Sequence, residues 1–153
     1  MTIFTQARRG GGGSTSPWTV VKKSADEVIT NDATPSPDSD LRFDAEVGKT
    51  YLVEYYLKMA SPAAADVKTQ VSGPTGASVR HSDTFEQIST VGTSNLSSTT
   101  VNATTPQGVL RRAIVTGVTV AGEVILLWSQ NTSDAGNTTL FEGSFLRYRE
   151  WDV

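Results

Sequence analysis

The chain contains a single histidine, so every mechanism that needs an imidazole would have to use it. His81 stands in the segment VRHSDTFE, among many Ser and Thr residues. A Ser-His-Asp site needs a nucleophile held on a sharp turn, and no G-x-S-x-G motif of that kind occurs in the sequence. With so many serines, one near His81 is expected by chance. We therefore expect His81 to be structural and the chain not to be an enzyme.

Paired carboxylates offer a second chemistry, because two of them can hydrolyse a glycosidic bond as acid and as base or nucleophile. Most of the candidate acids fall in turns or on the polar sides of expected strands, where solvated acids belong. Their spacing selects no two of them as a pair. The candidates are Asp38, Asp40, Asp44, Glu54 and Glu142.

A loop rich in acids could bind calcium through oxygen ligands. Residues 31–40, NDATPSPDSD, carry Asp32, Asp38 and Asp40, but Pro35 and Pro37 interrupt the segment and the EF-hand pattern is absent. Turn capping is the favoured interpretation. The chain has no cysteine, which excludes disulfides and thiolate zinc sites. We expect no metal and no cofactor.

The N-terminal segment differs from the rest of the chain in charge. Residues 1–23 carry four basic side chains and no acid, a charge of +4, so the remainder of a chain with net charge −3 carries −7. Such an asymmetry is typical of a basic arm on an acidic body. The run Gly10–Gly13 followed by Ser14 has the composition of a flexible linker. It also lets a backbone pass close to another chain.

Several classes of partner are disfavoured by these patterns. One arginine pair, Arg8 and Arg9, is a small footprint for nucleic acid, and we expect no nucleic-acid binding. No apolar run reaches the length of a membrane span, and the N-terminus lacks the apolar segment of a secretory signal. We expect no membrane association.

Period-two alternation predicts strands along most of the chain. In the segment LRFDAEV, which begins at Leu41, one face carries Leu41, Phe43 and Ala45. In the segment TYLVEYYLKMA, one face carries Tyr51, Val53, Tyr55, Leu57 and Met59. Residues 109–130 predict a β-hairpin around Ala121 and Gly122, and residues 138–151 predict a last strand that ends in Trp151.

These segments predict an all-β fold. Roughly seven to nine strands joined by turns, without alternating helices, favour an antiparallel β-sandwich or jelly roll. We divide the chain into an extended N-terminal arm, residues 1–16, and a single β-sandwich domain, residues 17–153.

Five segments resemble, in their order, a β-rich segment that recurs in virion proteins of tailed bacteriophages. The C-terminal stretch VILLWSQNTSDAGNTTLFEGSFLRYRE is similar to the last two strands of that family. The middle stretch SVRHSDTFEQISTV departs from it. The segments are Val21 to Val28, Asp38 to Phe43, Lys49 to Leu57, Ala65 to Lys68, and Gly73 to Ala77.

The resemblance implies a structural module on a phage head or tail, without enzymatic activity or cofactor. We expect a capsid decoration or cement protein in the virion, assembled in the host cytoplasm, homotrimeric, and bound to the major capsid protein or another virion protein. Its contacts would come from the arm and its junction with the sandwich. These residues are Ile3, Phe4, Arg8, Arg9, Gly10, Gly11, Gly12, Gly13 and Trp18.

A second hypothesis is a receptor-binding or glycan-binding module on a tail or head fibre. Exposed Tyr56, Trp18 or Trp151 would then stack on sugar rings. The competing interpretation is that these aromatic side chains fill the core or a subunit interface, since aromatics dominate both.

Overall fold

A computed structural model describes residues 17–82, 97–99 and 105–151 of the chain. Within these ranges all regular structure is β, and the strands form two antiparallel sheets. This confirms the all-β, sandwich-like class. The expected arm, residues 1–16, lies outside the described residues, as do residues 83–96, 100–104 and 152–153. The described residues contain no helix that could span a membrane.

The larger sheet has seven strands and is organised around one long central strand. Its members are β1 (Thr19–Lys22), β2 (Glu27–Ile29), β4 (Tyr51–Ala60), β6 (Ser78–Ser82), β8 (Gln107–Thr116), β10 (Thr138–Leu140) and β11 (Phe145–Glu150). Strand β4 pairs along one side with β8, from Tyr51 opposite Val115 to Met59 opposite Gln107. Along its other side it pairs with β11 and then with β10. Strands β1, β2 and β6 add to β11, β10 and β8 respectively.

The smaller sheet has four strands in the order β3, β9, β5, β7. Their bounds are β3 (Ser36–Ala45), β5 (Val67–Ser72), β7 (Ser97–Thr99) and β9 (Gly122–Gln130). Strand β3 is longer than the sequence predicts, because it begins inside the segment that was expected to be a loop. It carries an irregularity between Pro37 and Arg42, where the pairing with β9 shifts register. A proline has no N–H for the ladder, and such positions favour bulges.

The core lies between the two sheets and follows the expected alternation. Leu41, Phe43 and Ala45 are buried on β3, and Tyr51, Val53, Tyr55, Leu57 and Met59 are buried on β4. Strand β9 adds Val124, Leu126 and Trp128. These side chains belong to one hydrophobic cluster, so the inward faces predicted for β3 and β4 from period two are confirmed.

The predicted hairpin over residues 109–130 is wrong. Strand β8 lies in the seven-stranded sheet and β9 in the four-stranded sheet, so residues 117–121 cross from one sheet to the other. Gly117 begins the crossing with φ of +65°, a conformation that glycine adopts without strain. Val118 is buried under the crossing, and its carbonyl accepts the Gly48 N–H at 2.8 Å. In the sequence, a buried apolar residue of a connecting segment has the same pattern as an inward-facing residue of a strand.

The number of strands is also higher than expected, with eleven among the described residues. The predicted last strand is interrupted at residues 141–144, where a turn with Gly143 at φ of +84° separates β10 from β11. Strand β2 is likewise separate from β1. Strands β2 and β10 have three residues each, which is too few for periodicity to indicate a separate strand.

A candidate binding face on the seven-stranded sheet

The seven-stranded sheet has one face toward the core and one face away from it, and the second is unusual for a strand surface. We call it the outer face. On β4, β8 and β11, the outer face consists of the residues that alternate with the buried ones. On β1 and β6, it consists of the residues that pair with outer-face residues of β11 and β8. Its principal side chains are Trp18, Val20, Lys22, Leu52, Glu54, Tyr56, Lys58, Arg80, Leu110, Arg112, Ile114, Phe145, Arg147 and Arg149.

Glu54 is the electrostatic centre of the outer face. Its side chain is almost buried, and Oε2 accepts hydrogen bonds from Arg147 Nε at 2.6 Å and from the Tyr56 hydroxyl at 2.9 Å. The Arg147 Nη2 lies 2.5 Å from the same oxygen, and Arg112 Nε lies 3.1 Å from Oε1. One carboxylate from β4 therefore fixes arginines from the strands on both sides.

These partners decide the ionisation of Glu54. Burial would raise its pKa, but the hydrogen bonds from Arg147 and Tyr56 and the charges of Arg147 and Arg112 lower it more, so the pKa of Glu54 lies below its ordinary value. The same contact acts on the phenol. Burial and the hydrogen bond to the Glu54 carboxylate raise the pKa of Tyr56.

Aromatic rings and guanidinium groups form a continuous layer over β1, β11 and β4. The Arg147 guanidinium lies 4.5 Å from the Trp18 ring centre and 5.2 Å from that of Tyr56. Arg149 lies 5.0 Å from the Trp18 ring, and Tyr56 stacks on Phe145 with ring centres 4.7 Å apart. Cation–π contacts of this kind hold arginine side chains in place at a surface.

A shallow depression of about 390 Å³ adjoins this layer. It lies where β8 carries Gly108, opposite Lys58, and a side chain added at Gly108 would meet no atom within 4 Å. Tyr56 and Leu110 form much of its wall. The missing side chain at Gly108 is therefore the cause of the depression, and apolar groups dominate its lining.

The outer face is basic on a chain that is acidic. Among the described residues it carries Lys22, Lys58, Arg80, Arg112, Arg147 and Arg149 against the single acid Glu54, whereas the whole chain has a net charge of −3. Aromatic and arginine side chains are enriched in protein interfaces and contribute most of their hot spots. The arrangement is suited to a partner that offers acidic groups around an apolar patch.

Of the residues singled out from the sequence, Trp18 and Tyr56 are brought together on this face by Arg147. Trp151 follows β11, is 43% exposed, and donates its backbone N–H to Thr50 O at 2.8 Å. The arm residues from Ile3 to Gly13 lie outside the described residues.

The candidate catalytic residues are dispersed. His81 is on β6 opposite Ala113, on the side of the strand that faces the core. Glu54 is on the seven-stranded sheet and Asp44 on the four-stranded sheet, while Glu142 lies in the turn before β11. Asp32 accepts the Thr34 N–H, as expected of a turn cap. No group of three or more His, Asp or Glu residues in the described part of the chain could share a metal ion.

Asp38 departs from its expected place as a solvated turn residue. It is fully buried and hydrogen bonds to Lys23. The sequence also gave no reason to select Arg112, Arg147 or Arg149. The available signal was the alternation in FLRYRE, which places Phe145, Arg147 and Arg149 on one side of a strand.

No protein-family model matches this chain, and none of the curated proteins matches it.

Proposed function

We propose that this chain is a structural protein of a tailed-bacteriophage virion, most specifically a capsid decoration or cement protein without enzymatic activity. In this proposal it assembles in the host cytoplasm as a homotrimer and binds the major capsid protein or another virion protein. The ordered motifs between Val21 and Ala77 support the phage assignment, because they resemble segments that recur in such proteins.

The observation that carries the binding function is the outer face of the seven-stranded sheet. Stacking Tyr56 on Phe145 and placing Arg147 between Trp18 and Tyr56 stabilises the sheet and also presents rings and guanidinium groups to a partner in fixed positions. Rings and guanidinium groups held in place lose little side-chain entropy when a partner docks. We therefore assign the outer face as the surface that meets the shell.

The arm completes the proposed architecture, a jelly-roll-like sandwich with an extended N-terminal segment. Residues 1–16 are followed by Pro17 and then by Trp18, which is part of the outer face. An arm can add a strand to the edge of a neighbour's sheet, and Arg8 and Arg9 would pair with acids there. Ordering the arm costs roughly 1–2 kcal/mol per residue, which only a partner surface could offset.

Charge reversal on the two sheets tests this assignment. Arg149→Glu changes the outer face, where Arg149 contacts Trp18, and Arg42→Glu makes the same change of charge on the four-stranded sheet, where Arg42 faces Glu123 at 3.5 Å. We expect Arg149→Glu to weaken binding to particles assembled without the protein by at least tenfold, about 1.4 kcal/mol. Arg42→Glu should bind as the wild type does.

Filling the depression provides a steric version of the same test. Gly108→Leu adds a side chain where no atom lies within 4 Å, so the fold should tolerate it, while a docked partner would be displaced. Gly108→Ala is the matched control. Equal particle occupancy for the wild type, Arg149→Glu and Gly108→Leu would reject the outer face as the docking surface.

A glycan-binding module of a tail or head fibre is the second candidate. It is favoured by the position of Tyr56 in the wall of the depression at Gly108 and by Arg147 between Tyr56 and Trp18, since aromatic rings stack on sugars and arginines bind acidic substituents. Three results together would favour this function over decoration. The purified chain would bind to a glycan array, Gly108→Leu would lose that binding, and the chain would not bind to particles.

A further inference from the structure

A buried cluster of three ionisable side chains lies between the two sheets, away from the outer face. Lys23 directly follows β1 of the seven-stranded sheet, and Asp38 lies in β3 of the four-stranded sheet. The Lys23 Nζ lies 2.7 Å from Asp38 Oδ2 and 2.8 Å from Glu27 Oε2. One amine therefore contacts two carboxyl groups at the same time.

The surroundings of this cluster exclude water from the amine and from Asp38. Lys23 is 3% exposed and Asp38 is 0% exposed, whereas the side chain of Glu27 keeps 31% of its surface accessible. Burial alone would lower the pKa of Lys23, but the hydrogen bonds and charges of Asp38 and Glu27 raise it above its ordinary value, so the amine rests as an ammonium. A nucleophilic amine therefore requires a proton transfer, and the 2.7 Å between Nζ and Oδ2 provides a direct path for it.

The second oxygen of Asp38 is held by backbone donors. Oδ1 accepts the N–H groups of Asp40 at 2.9 Å and Leu41 at 2.7 Å. Two convergent N–H groups on a carboxyl oxygen are the arrangement that stabilises the oxyanion of a tetrahedral intermediate in acyl transfer. The irregular stretch of β3 between Pro37 and Arg42 positions them.

We infer that Lys23 and Asp38 condense into an intramolecular isopeptide bond, with Glu27 as the group that moves the proton. The site contains each part that the reaction requires: an amine nucleophile against a carboxyl group, two oxyanion donors, and a general base in contact with the amine. The link is a self-processing activity of the fold and does not depend on the outer face.

The reaction balances with no reagent beyond the three side chains. After Nζ passes one proton to Oδ2, its lone pair forms the Nζ–Cγ bond, and the negative charge develops on Oδ1. Glu27 takes a second proton from Nζ and delivers it to Oδ2. The carbonyl reforms at Oδ1, the Cγ–Oδ2 bond breaks, and Oδ2 leaves as water. An ammonium and a carboxylate are thus converted into one amide and one water, and Glu27 is restored.

The bond would join the two sheets covalently where β1 ends. The chain has no cysteine, so no disulfide can provide such a link. An amide is insensitive to reduction, and it would hold β1, which directly follows the N-terminal segment, to the body of the sandwich.

The intact mass of the folded, purified full chain tests the inference. We expect the wild type to be lighter than its sequence by one water molecule. Trypsin should leave a peptide of residues 23–42 that is one water short and uncut at Lys23, because an acylated lysine is not cleaved. Fragmentation should give no ions from the segment between Lys23 and Asp38.

Three variants assign the roles. Asp38→Asn should lose one ammonia instead of one water, since the side-chain amide nitrogen leaves as ammonia when Nζ attacks the carboxamide carbon. Lys23→Arg keeps the positive charge and should have its full sequence mass. Glu27→Gln keeps a hydrogen-bonding partner for Lys23 but is no base, and it should fold, as judged by circular dichroism, with its full mass.

A folded wild-type chain of full sequence mass would overturn the inference. So would a missing water that persists in Lys23→Arg, because this would indicate dehydration elsewhere, such as a succinimide at Asp38 and Ser39. Full reaction in Glu27→Gln would remove the proton-transfer role from Glu27.

Discussion

At the scale of single residues, Glu54 determines the shape of the outer face. A carboxylate that is 6% exposed would be costly without partners, and here Arg147, Arg112 and the Tyr56 hydroxyl surround it. The acid thus holds in place two of the cations that a partner would meet. Removing its charge leaves these arginines facing each other across β4.

We expect Glu54→Gln to lower the free energy of unfolding by about 1–3 kcal/mol at neutral pH, since hydrogen bonds to charged groups are the stronger ones. Urea unfolding measures this. Asp44→Asn removes an exposed carboxylate from the other sheet and should stay within about 0.5 kcal/mol of the wild type.

The same variant predicts a pH dependence. The folded chain holds the pKa of Glu54 below the ordinary value of 4.5, so the stabilisation from its charge is present above that value and is lost as pH falls through the folded pKa. The difference in unfolding free energy between the wild type and Glu54→Gln should therefore shrink on acidification below about pH 4.5. A constant difference down to acid pH would contradict this account of Glu54.

At the scale of elements, the crossing between β8 and β9 is the feature that the sequence concealed. Val118 and Val120 occupy the same apolar run, yet Val118 is 2% exposed and Val120 is 56% exposed. The crossing places Val118 against the core cluster and leaves Val120 at the surface.

This pair gives a matched test of the crossing. We expect Val118→Ala to cost about 2 kcal/mol, from roughly 0.8 kcal/mol for each buried methylene equivalent and a cavity contribution. Val120→Ala should change stability by less than about 0.5 kcal/mol. Thermal or urea unfolding measures the loss of stability in each variant. Equal losses would mean that the two valines are equally buried, which would contradict the crossing between sheets.

Sequence patterns predicted elements whose two faces differ and missed those whose placement depends on distant strands. The inward residues Tyr51 to Met59 on β4 follow from period two alone. The hairpin was wrong because alternation specifies faces and not the sheet that a strand joins. Asp38 was missed because only the approach of β1 to β3 places it beside Lys23. The outer face was missed because its composition depends on the order in which β1, β11, β4 and β8 lie side by side in the sheet.

At the scale of the whole molecule, charge is divided between surfaces. The chain has a net charge of −3, while the described residues of the outer face include six cations and one acid. A basic face on an acidic body orients the molecule toward an acidic surface and disfavours stacking of copies with their basic faces together. Binding through this face should weaken as ionic strength rises, because exposed charges are screened.

Deletion of the arm distinguishes its contribution to particle binding from its contribution to the stability of the sandwich. In the proposed function residues 1–16 gain their order from a neighbouring subunit, so they contribute nothing to the stability of the isolated sandwich. A chain that begins at Pro17 should therefore have the wild-type unfolding free energy and should lose occupancy on purified virions. Reversing the charges of Arg8 and Arg9 in the full chain should reproduce part of that loss, because paired acids on the neighbour would then be repelled. Unchanged occupancy after deletion would reject the arm as a docking element, and a destabilised sandwich would mean that the arm packs on its own domain.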